Sequence, residues 1–498
     1  MNLQELFREL PRATVSGPLD VEVTAVTADS RQAGPGTLFV AIRGHAADGH
    51  KFIGSALENG AAGVVSERAP ESGEDESAGW AHVSDTREAL AKLADAVCGQ
   101  PSRKLVLAGV TGTNGKTTTA FLLHHLMEKL WHRAGMLGTV SVHDGSESQP
   151  AGNTTPGPVE LQGLIKRMVD NGCRGAVMEV SSHGIDQQRV ASVAFDAAIF
   201  TNLSQDHLDY HRTIERYFAA KRAWFEALAE DPLGKKPVAV INIDDSHGAD
   251  LADALAGRME VVRYGFGVNC EFRVENFHQS SEGTQFGLLV RGRSVLVRTP
   301  LIGRFNVYNA LAAVAAASVL GMRLREIVHE LAEAPQVPGR MERIGQREGV
   351  TVFVDYAHTP DALDNACRTL RELEPRRLVT VFGCGGDRDR GKRPLMAAAA
   401  SRHSDACVIT SDNPRGEDPE KILDDIERGI GGCPHVRIVD RDEAIKKAVC
   451  AAGKADIVLI AGKGHETYQQ FADQTIEFDD RSAARRALFV HRKPKERK

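Results

Sequence analysis

Residues 109–119 read GVTGTNGKTTT, between an apolar run and a helical pattern. Gly112, Thr113, Asn114, Gly115, Lys116, Thr117 and Thr118 therefore sit where a strand would turn into a helix. Glycines let the backbone fold so that its N–H groups point at phosphate oxygens. The helix N-terminus adds its positive end, Lys116 adds a full charge, and the Thr117 hydroxyl can hold Mg²⁺. The strict pattern G-x4-G-K-[ST] needs glycine at 110, where valine stands, so this is a variant loop. Strand, Gly-Lys-Thr and helix in that order predict a nucleotide phosphate site and not a plain glycine turn.

An ATP site also needs a metal carboxylate. Glu179 ends the apolar run RGAVMEV, where an acidic side chain can face the ion of a phosphate-loop nucleotide. His207 and His211 in TNLSQDHLDYH have the i, i+4 spacing of a metal pair, and equally of two hydrogen-bonded surface histidines. Glu330 and Glu466 each follow a histidine without the second histidine of HExxH, so a zinc protease is unsupported. Near the C-terminus, Asp412, Asn413, Pro414 and Arg415 follow a strand-like run. A turn needs asparagine and proline; it does not need the arginine.

The elements that must position these residues follow from periodicity. Short strand-like runs at VEVTAV, GTLFVAI and AAGVVSE precede the phosphate loop, with helices near 51–59 and over 87–97. The polar stretch ERAPESGEDESAG reads as a surface loop, and CGQPSRK as a linker. From Leu105 onward apolar strands alternate with helices, the signature of a parallel α/β sheet. The first of those helices carries Leu123, Leu126, Met127 and Leu130 at i, i+3, i+4, i+7, a single buried face. Pro335 and Pro338 mark a second boundary. Beyond it five more strand-like runs occur, four of them leading directly into loops rich in Gly, Asp, His or Arg. In open parallel sheets ligands bind at such strand ends. The α/β chain thus divides into 1–101, 102–337 and 338–498.

The 498 residues suit about three domains. A net charge of −6 argues against general affinity for nucleic acid or anionic membrane. Eight scattered cysteines without a CxxC pair read as reduced thiols of a cytoplasmic protein. The charged N-terminal stretch has no apolar core of a signal peptide. The longest apolar run, 310–322, is too short to span a bilayer and predicts a buried helix, so no membrane insertion is expected.

The motifs together resemble the Mur ligase family, the ATP-dependent amide-bond ligases of peptidoglycan precursor synthesis. The resemblance runs nearly the whole chain in family order: DSR at 29–31, GHAADG at 44–49, GTNGKTTT at 112–119, NTTPG at 153–157, MEVSSHG at 178–184, TNLSQDHLDYH at 201–211, FAAKRAWF at 218–225, GRFNVYNALAA at 303–313, VPGRMERI at 337–344, VDYAHTPDAL at 354–363, GCGGDRDRGKRP at 383–394, DNPR at 412–415 and GKGHE at 462–466. It implies a uridine-binding N-terminal domain, a central ATPase with a parallel sheet and a Rossmann-like C-terminal domain.

The implied reaction joins meso-2,6-diaminopimelate to the D-Glu carboxylate of UDP-N-acetylmuramoyl-L-Ala-D-Glu. ATP is the substrate that activates the carboxylate as an acyl phosphate, with Mg²⁺ as cofactor. By resemblance one Mg²⁺ takes Thr117 and Glu179, and a second takes His207 and a carbamate on Lys221. Asn306 and Asn309 would flank the adenine. Arg340, Asp355 and His358 would reach ATP from the C-terminal side. Ser30, His45, Ala46 and Ala47 would hold the uridine part; Asn153, Thr154, Thr155, Ser181, Gln187 and Arg189 would hold the muramoyl dipeptide. Arg388, Asp412, Asn413, Pro414, Arg415, Gly462 and Glu466 would form the diaminopimelate pocket. A cytoplasmic monomer is expected. The rival readings are a lysine-adding ligase, a folylpolyglutamate synthase and a P-loop ATPase switch without ligation. A folylpolyglutamate synthase begins almost at the phosphate loop, whereas here about a hundred residues precede it.

Overall fold

The computed structural model describes residues 1–44, 47–72, 74–231 and 233–490. The chain is built on three α/β sheets. The first holds β1 (Thr14–Ser16), β2 (Ala25–Thr27), β3 (Thr37–Val40), β4 (Gly63–Ser66) and β5 (Gly79–His82), in the order β1-β5-β4-β3-β2. Only β1 runs antiparallel. Its central strands carry Leu38, Phe39, Val40, Val64 and Val65, all without exposed surface, as buried parallel strands require. The run VEVTAV yields only the short β2. The polar stretch at 67–79 contains one short helix, Glu74–Ser77.

The expected linker is not a loose one. Pro101–Lys104 form a 3₁₀ turn, Pro101 and Ser102 are buried, and Ser102 Oγ accepts the N–H of Ala194 at 3.0 Å.

The second sheet has eleven strands: β6 (Val106–Thr111), β7 (Ala134–Leu137), β8 (Ser141–His143), β9 (Ser148–Pro150), β10 (Gly175–Glu179), β11 (Ala197–Phe200), β12 (Val238–Asn242), β13 (Glu260–Gly265), β14 (Phe272–Ser280), β15 (Gly283–Val290) and β16 (Arg293–Thr299). The order is β16-β15-β14-β13-β12-β11-β6-β10-β7-β8-β9. Its centre is parallel, as the strand–helix alternation predicts. The β7–β8–β9 edge is antiparallel, which the sequence reading did not include. The helix Lys116–Trp131 packs Leu123, Leu126 and Met127 into the core, with Leu130 half-buried. Helix Arg304–Val319 is buried from Ala310 to Ala317.

The third sheet holds β17 (Glu342–Arg347), β18 (Val350–Asp355), β19 (Arg377–Phe382), β20 (Ala406–Ile409), β21 (His435–Arg437) and β22 (Asp456–Ala461), ordered β17-β18-β22-β19-β20-β21. All but β17 are parallel, so the loops after β18, β19, β20 and β22 leave from one edge. A hairpin, β23 (Tyr468–Gln470) and β24 (Thr475–Glu477), follows. Contacts divide the chain into two compact units, one of residues 1–274, 288–294 and 308–330, the other of the remainder.

Candidate active site

In the first unit the phosphate loop closes on itself before any ligand is considered. Gly112 and Gly115 have φ of +145° and +88°, and each lies too close to a neighbour for a Cβ. At Gly112 a Cβ would come 1.9 Å from Thr201 Oγ1, and at Gly115 2.2 Å from Asn309 Oδ1. Asn114 N–H donates to Asn202 Oδ1 at 3.0 Å, and Thr113 N–H to Asn202 O at 2.8 Å. Lys116 Nζ bonds the carbonyls of Gly112 and Thr113 at 2.9 and 2.8 Å. The loop is thus pre-shaped at the N-terminus of a sixteen-residue helix.

Glu179 ends β10 beside Val110, because β10 pairs in parallel with β6. Its carboxylate is buried. It accepts from Thr117 Oγ1 at 3.0 Å, Thr139 N–H at 2.8 Å and Thr139 Oγ1 at 3.1 Å. Thr118 is buried beside Thr117. The hydroxyl of Thr117 against a carboxylate oxygen is a set of hard oxygen donors, which suits a small divalent cation.

Lys221 is the least ordinary group here. Its side chain is 1% exposed, with Nζ 3.0 Å from Gly112 O, 3.4 Å from Thr111 Oγ1 and 4.6 Å above the Tyr217 ring. Burial, reinforced by the charge of Lys116, pushes its amine well below the usual lysine range. Sequence pattern alone gives a solvated helix lysine; burial at the phosphate loop instead favours the uncharged form of its amine.

His207 and His211 are not a pair on one helix face. The helix is only Leu208–His211, and His207 precedes it with φ +52°. His211 Nε2 is taken by Ser182 Oγ at 3.0 Å. The ring of His183, a residue the sequence reading did not single out, lies 5.0 Å from that of His207 and 5.6 Å from that of His211. Burial holds His207 below its ordinary value against the pull of Asp206, keeping a neutral ring available.

Thr155 Oγ1 donates to Glu179 O at 2.9 Å and meets Ser181 Oγ at 3.0 Å; Thr154 Oγ1 meets Thr139 Oγ1 at 3.0 Å. Arg189 bonds Thr155 O at 2.6 Å and Gln187 Oε1 at 2.7 Å. Asn153 is exposed. Gln187 and Arg189 also line a cavity of about 550 Å³, whose other walls include Thr27, Asp29, Gln32, Arg87 and Gly157. That volume suits a small-molecule ligand. Arg87 was missed in sequence because a lone arginine on a surface helix carries no pattern. Ser30 lies in the turn Ser30–Gln32, between the lining residues Asp29 and Gln32, and Ala47 is exposed. His45 and Ala46 lie outside the described residues.

The second unit gathers the other predicted residues at the strand-end edge of the third sheet. Asn413 is 2% exposed. Its Oδ1 accepts from Lys463 Nζ at 2.9 Å and Gln470 N–H at 3.0 Å, and its Nδ2 donates to Glu466 Oε2 at 3.0 Å. Arg415, with φ +51°, uses Nη1 on Gly386 O at 2.8 Å. Its other guanidinium donors make no hydrogen bond among the described residues. Gly385 leaves room, since a Cβ there would meet Arg415 Nη1 at 2.9 Å. Gly462, at φ +116°, lies against the Asp412 carboxylate, and Pro414 is buried. Arg388 is exposed in the loop after β19. Below these loops the fully buried pair Arg441–Asp480 ties Ser411 O and Ala461 O together at 3.1 and 3.0 Å.

In the same unit Asp355 is half-buried, its Oδ2 accepting Met341 N–H at 2.6 Å, and desolvation raises its carboxyl. The Arg340 guanidinium lies 4.6 Å over the Tyr356 ring, and His358 Nδ1 is 2.9 Å from Tyr356 O. Asn306 Nδ2 donates to Ile302 O at 2.8 Å. Asn309, in the first unit, is buried against Gly115.

Comparison with known proteins decides the lineage. The sequence matches "Mur ligase family, catalytic domain" over residues 22–97, "Mur ligase middle domain" over 110–317 and "Mur ligase, glutamate ligase domain" over 339–464. A UDP-N-acetylmuramoyl-L-alanyl-D-glutamate–2,6-diaminopimelate ligase of Geobacillus thermodenitrificans is 45% identical over 491 residues, 98% of this chain and 99% of its own. The chain belongs to the Mur ligase family. A second relative of that name, from Geobacter sulfurreducens, is 44% identical over 97% of this chain and 98% of its own. A solved structure of a Mur ligase so named superposes with a TM-score of 0.73 at 34% identity, covering 98% of this chain and 99% of that one. The three-domain Mur ligase architecture accounts for the three sheets. Among the described residues no helix is long and apolar enough to cross a membrane.

Proposed function

We propose that this Mur ligase joins the amino group of meso-2,6-diaminopimelate to the D-Glu carboxylate of UDP-N-acetylmuramoyl-L-Ala-D-Glu, with ATP cleaved to ADP and phosphate. The observation that carries the choice of amine is the Arg415 guanidinium, which spends only Nη1 on Gly386 O, at the same strand-end edge as a Glu466 carboxylate whose Oε2 alone is committed. Full-length identity to relatives of that name supports it. We assign residues 1–101 to uridine binding, 102–337 to ATP and 338–498 to the amine, in a monomer acting in the cytoplasm.

A carboxylate does not acylate an amine because its leaving group would be an oxide. Transfer of the γ-phosphoryl group gives an acyl phosphate, whose leaving group is phosphate; the amine attacks its carbonyl carbon, the C–O bond breaks and the amine loses a proton. Lys116 and the loop N–H groups offset the charge that gathers on the moving phosphoryl group. Thr117 and Glu179 would hold one Mg²⁺, and His207 with a carbamate on Lys221 a second. Such ions supply charge neutralisation between phosphate oxygens. Lys221 fits that role only once modified: a neutral amine attacks CO₂, loses a proton and becomes an oxygen-bearing anion. The cavity with Arg87 and Arg189 holds the anionic nucleotide part, and Asn306, Asn309, Arg340, Asp355 and His358 serve ATP.

Diaminopimelate is lysine with a carboxylate on its far carbon, so its far end is a zwitterion. The free donors of Arg415 match that carboxylate, and Glu466 Oε1 matches the ammonium. L-Lysine would leave the remaining donors of Arg415 unpaired, a cost of about 1–3 kcal/mol. The test is kcat/KM for both amines in the wild type and Arg415→Ala. Discrimination of about tenfold to a hundredfold is expected in the wild type and its loss in the variant. Equal use of L-lysine by the wild type would overturn the assignment.

A further inference from the structure

Away from the phosphate loop, the helix Lys116–Trp131 carries His124 and Glu128 one turn apart, and β8 brings His143 against them. Each of the three offers a ligand atom, and these atoms lie within 4.8 Å of one another. Among the described residues this is the one such grouping of three His, Cys, Asp or Glu side chains. All three are half-buried. We propose that His124, Glu128 and His143 form a site for a divalent transition-metal ion, Zn²⁺ or a similar borderline ion, separate from the Mg²⁺ chemistry of ligation.

The backbone already touches one atom of each of the three side chains. His124 Nε2 and His143 Nδ1 both lie 3.3 Å from Ala134 O, and Gly145 N–H points at the same His143 Nδ1 at 3.2 Å. Glu128 Oε1 accepts the N–H of Ala134. His124 Nδ1, His143 Nε2 and Glu128 Oε2 are left without a hydrogen bond among the described residues.

Two imidazoles and one carboxylate select Zn²⁺, Co²⁺ or Ni²⁺ over Mg²⁺ or Ca²⁺, which prefer oxygen. Three protein ligands leave a position for water. The ion would strap the helix that begins with Lys116 to the β7–β8 edge. The turn of that edge carries Thr139, which bonds Glu179.

Titration of the whole protein with Zn²⁺ and with Co²⁺, without nucleotide, tests this. His143→Ala and Glu128→Gln serve as variants, and the visible spectrum of bound Co²⁺ as a second readout. The wild type is expected to bind one equivalent that each variant binds at least about tenfold more weakly, the scale on which a metal site responds even to its supporting contacts. The imidazole-bound Co²⁺ absorption should fade in parallel. Melting temperature without metal, and turnover with Mg²⁺ alone, should stay as in the wild type for Glu128→Gln, which keeps the side-chain volume. Equal stoichiometry and affinity in wild type and both variants would overturn the site, whatever binds at the phosphate loop. The ligase reading could fail without affecting this result.

Discussion

The ammonium of Lys463 stands 3.0 Å from Glu466 Oε2, and the lysine side chain has no exposed surface. The same ammonium holds Asn413 Oδ1, so one buried cation joins the loop after β22 to the loop after β20. Lys463→Met removes the cation and leaves a largely buried carboxylate. A loss of about 3 kcal/mol is expected in urea unfolding, the low end for breaking a buried pair. The KM for diaminopimelate should rise while that for ATP stays. Adding Glu466→Gln should restore much of the stability, because no lone charge remains, but not the use of the amine.

Lys116→Ala should lower kcat by about 10²–10³, the scale of a lost electrostatic donor in a transition state. The fold should hold, since Gly112 and Gly115 shape the loop. An ADP-release assay with saturating substrates checks this; near-normal turnover would remove the loop from the chemistry.

For Lys221 the sign of the pH effect is fixed by its burial. The folded amine titrates well below 10.5, whereas the unfolded one keeps its proton up to that value. Between the two values the unfolded chain binds more protons, so stability rises with pH. Lys221→Met should flatten that rise in unmodified protein, read from unfolding midpoints across the alkaline range. Lys221→Ala should be nearly inactive, and a small carboxylate in solution should restore part of its turnover. No response to any added carboxylate, with a plain lysine found by mass measurement of active enzyme, would exclude the carbamate.

Arg87, on the helix Thr86–Val97, donates to Arg43 O and lines the cavity. Arg87→Met should raise the KM for UDP-N-acetylmuramoyl-L-Ala-D-Glu about tenfold to a hundredfold, the range of a hydrogen bond to a charged group. Because that contact is the same in ground and transition states, kcat should change little. Steady-state kinetics in the nucleotide substrate separate the two.

Much of this fold is legible in sequence because its strands are buried on both faces. The runs around 106–111, 175–179, 197–200, 350–355 and 456–461 read as continuous apolar segments. Edge strands leave fainter traces: β8 and β9 are three residues long and mostly polar, and their pairing depends on β7. The phosphate loop is legible because glycine spacing reports backbone shape. Lys221 is not, since its chemistry comes from burial that only the packed helix Ile214–Glu230 creates. Asn413 and Glu466 are legible as polar loop residues, but their bond to each other spans 53 residues and rests on strand order. The DNPR arginine keeps donors unspent, as a turn residue with no structural duty would not need to.

The seam at Pro101 and Ser102 has a further consequence. Within a stretch of linker composition Pro101 and Ser102 are buried and Ser102 holds the N–H of Ala194, inside one compact unit that includes residues 1 to 274. A protease added to the native protein should therefore find no ready cut there, although the arginine at 103 and the lysine at 104 are exposed, because the 3₁₀ turn holds the backbone around them. Limited trypsin digestion should spare this seam and nick exposed loop tips first. Cutting the N-terminal sheet away at residue 105 would also strip the N–H of Ala194 of its acceptor, so the severed remainder should melt at a lower temperature than the intact chain.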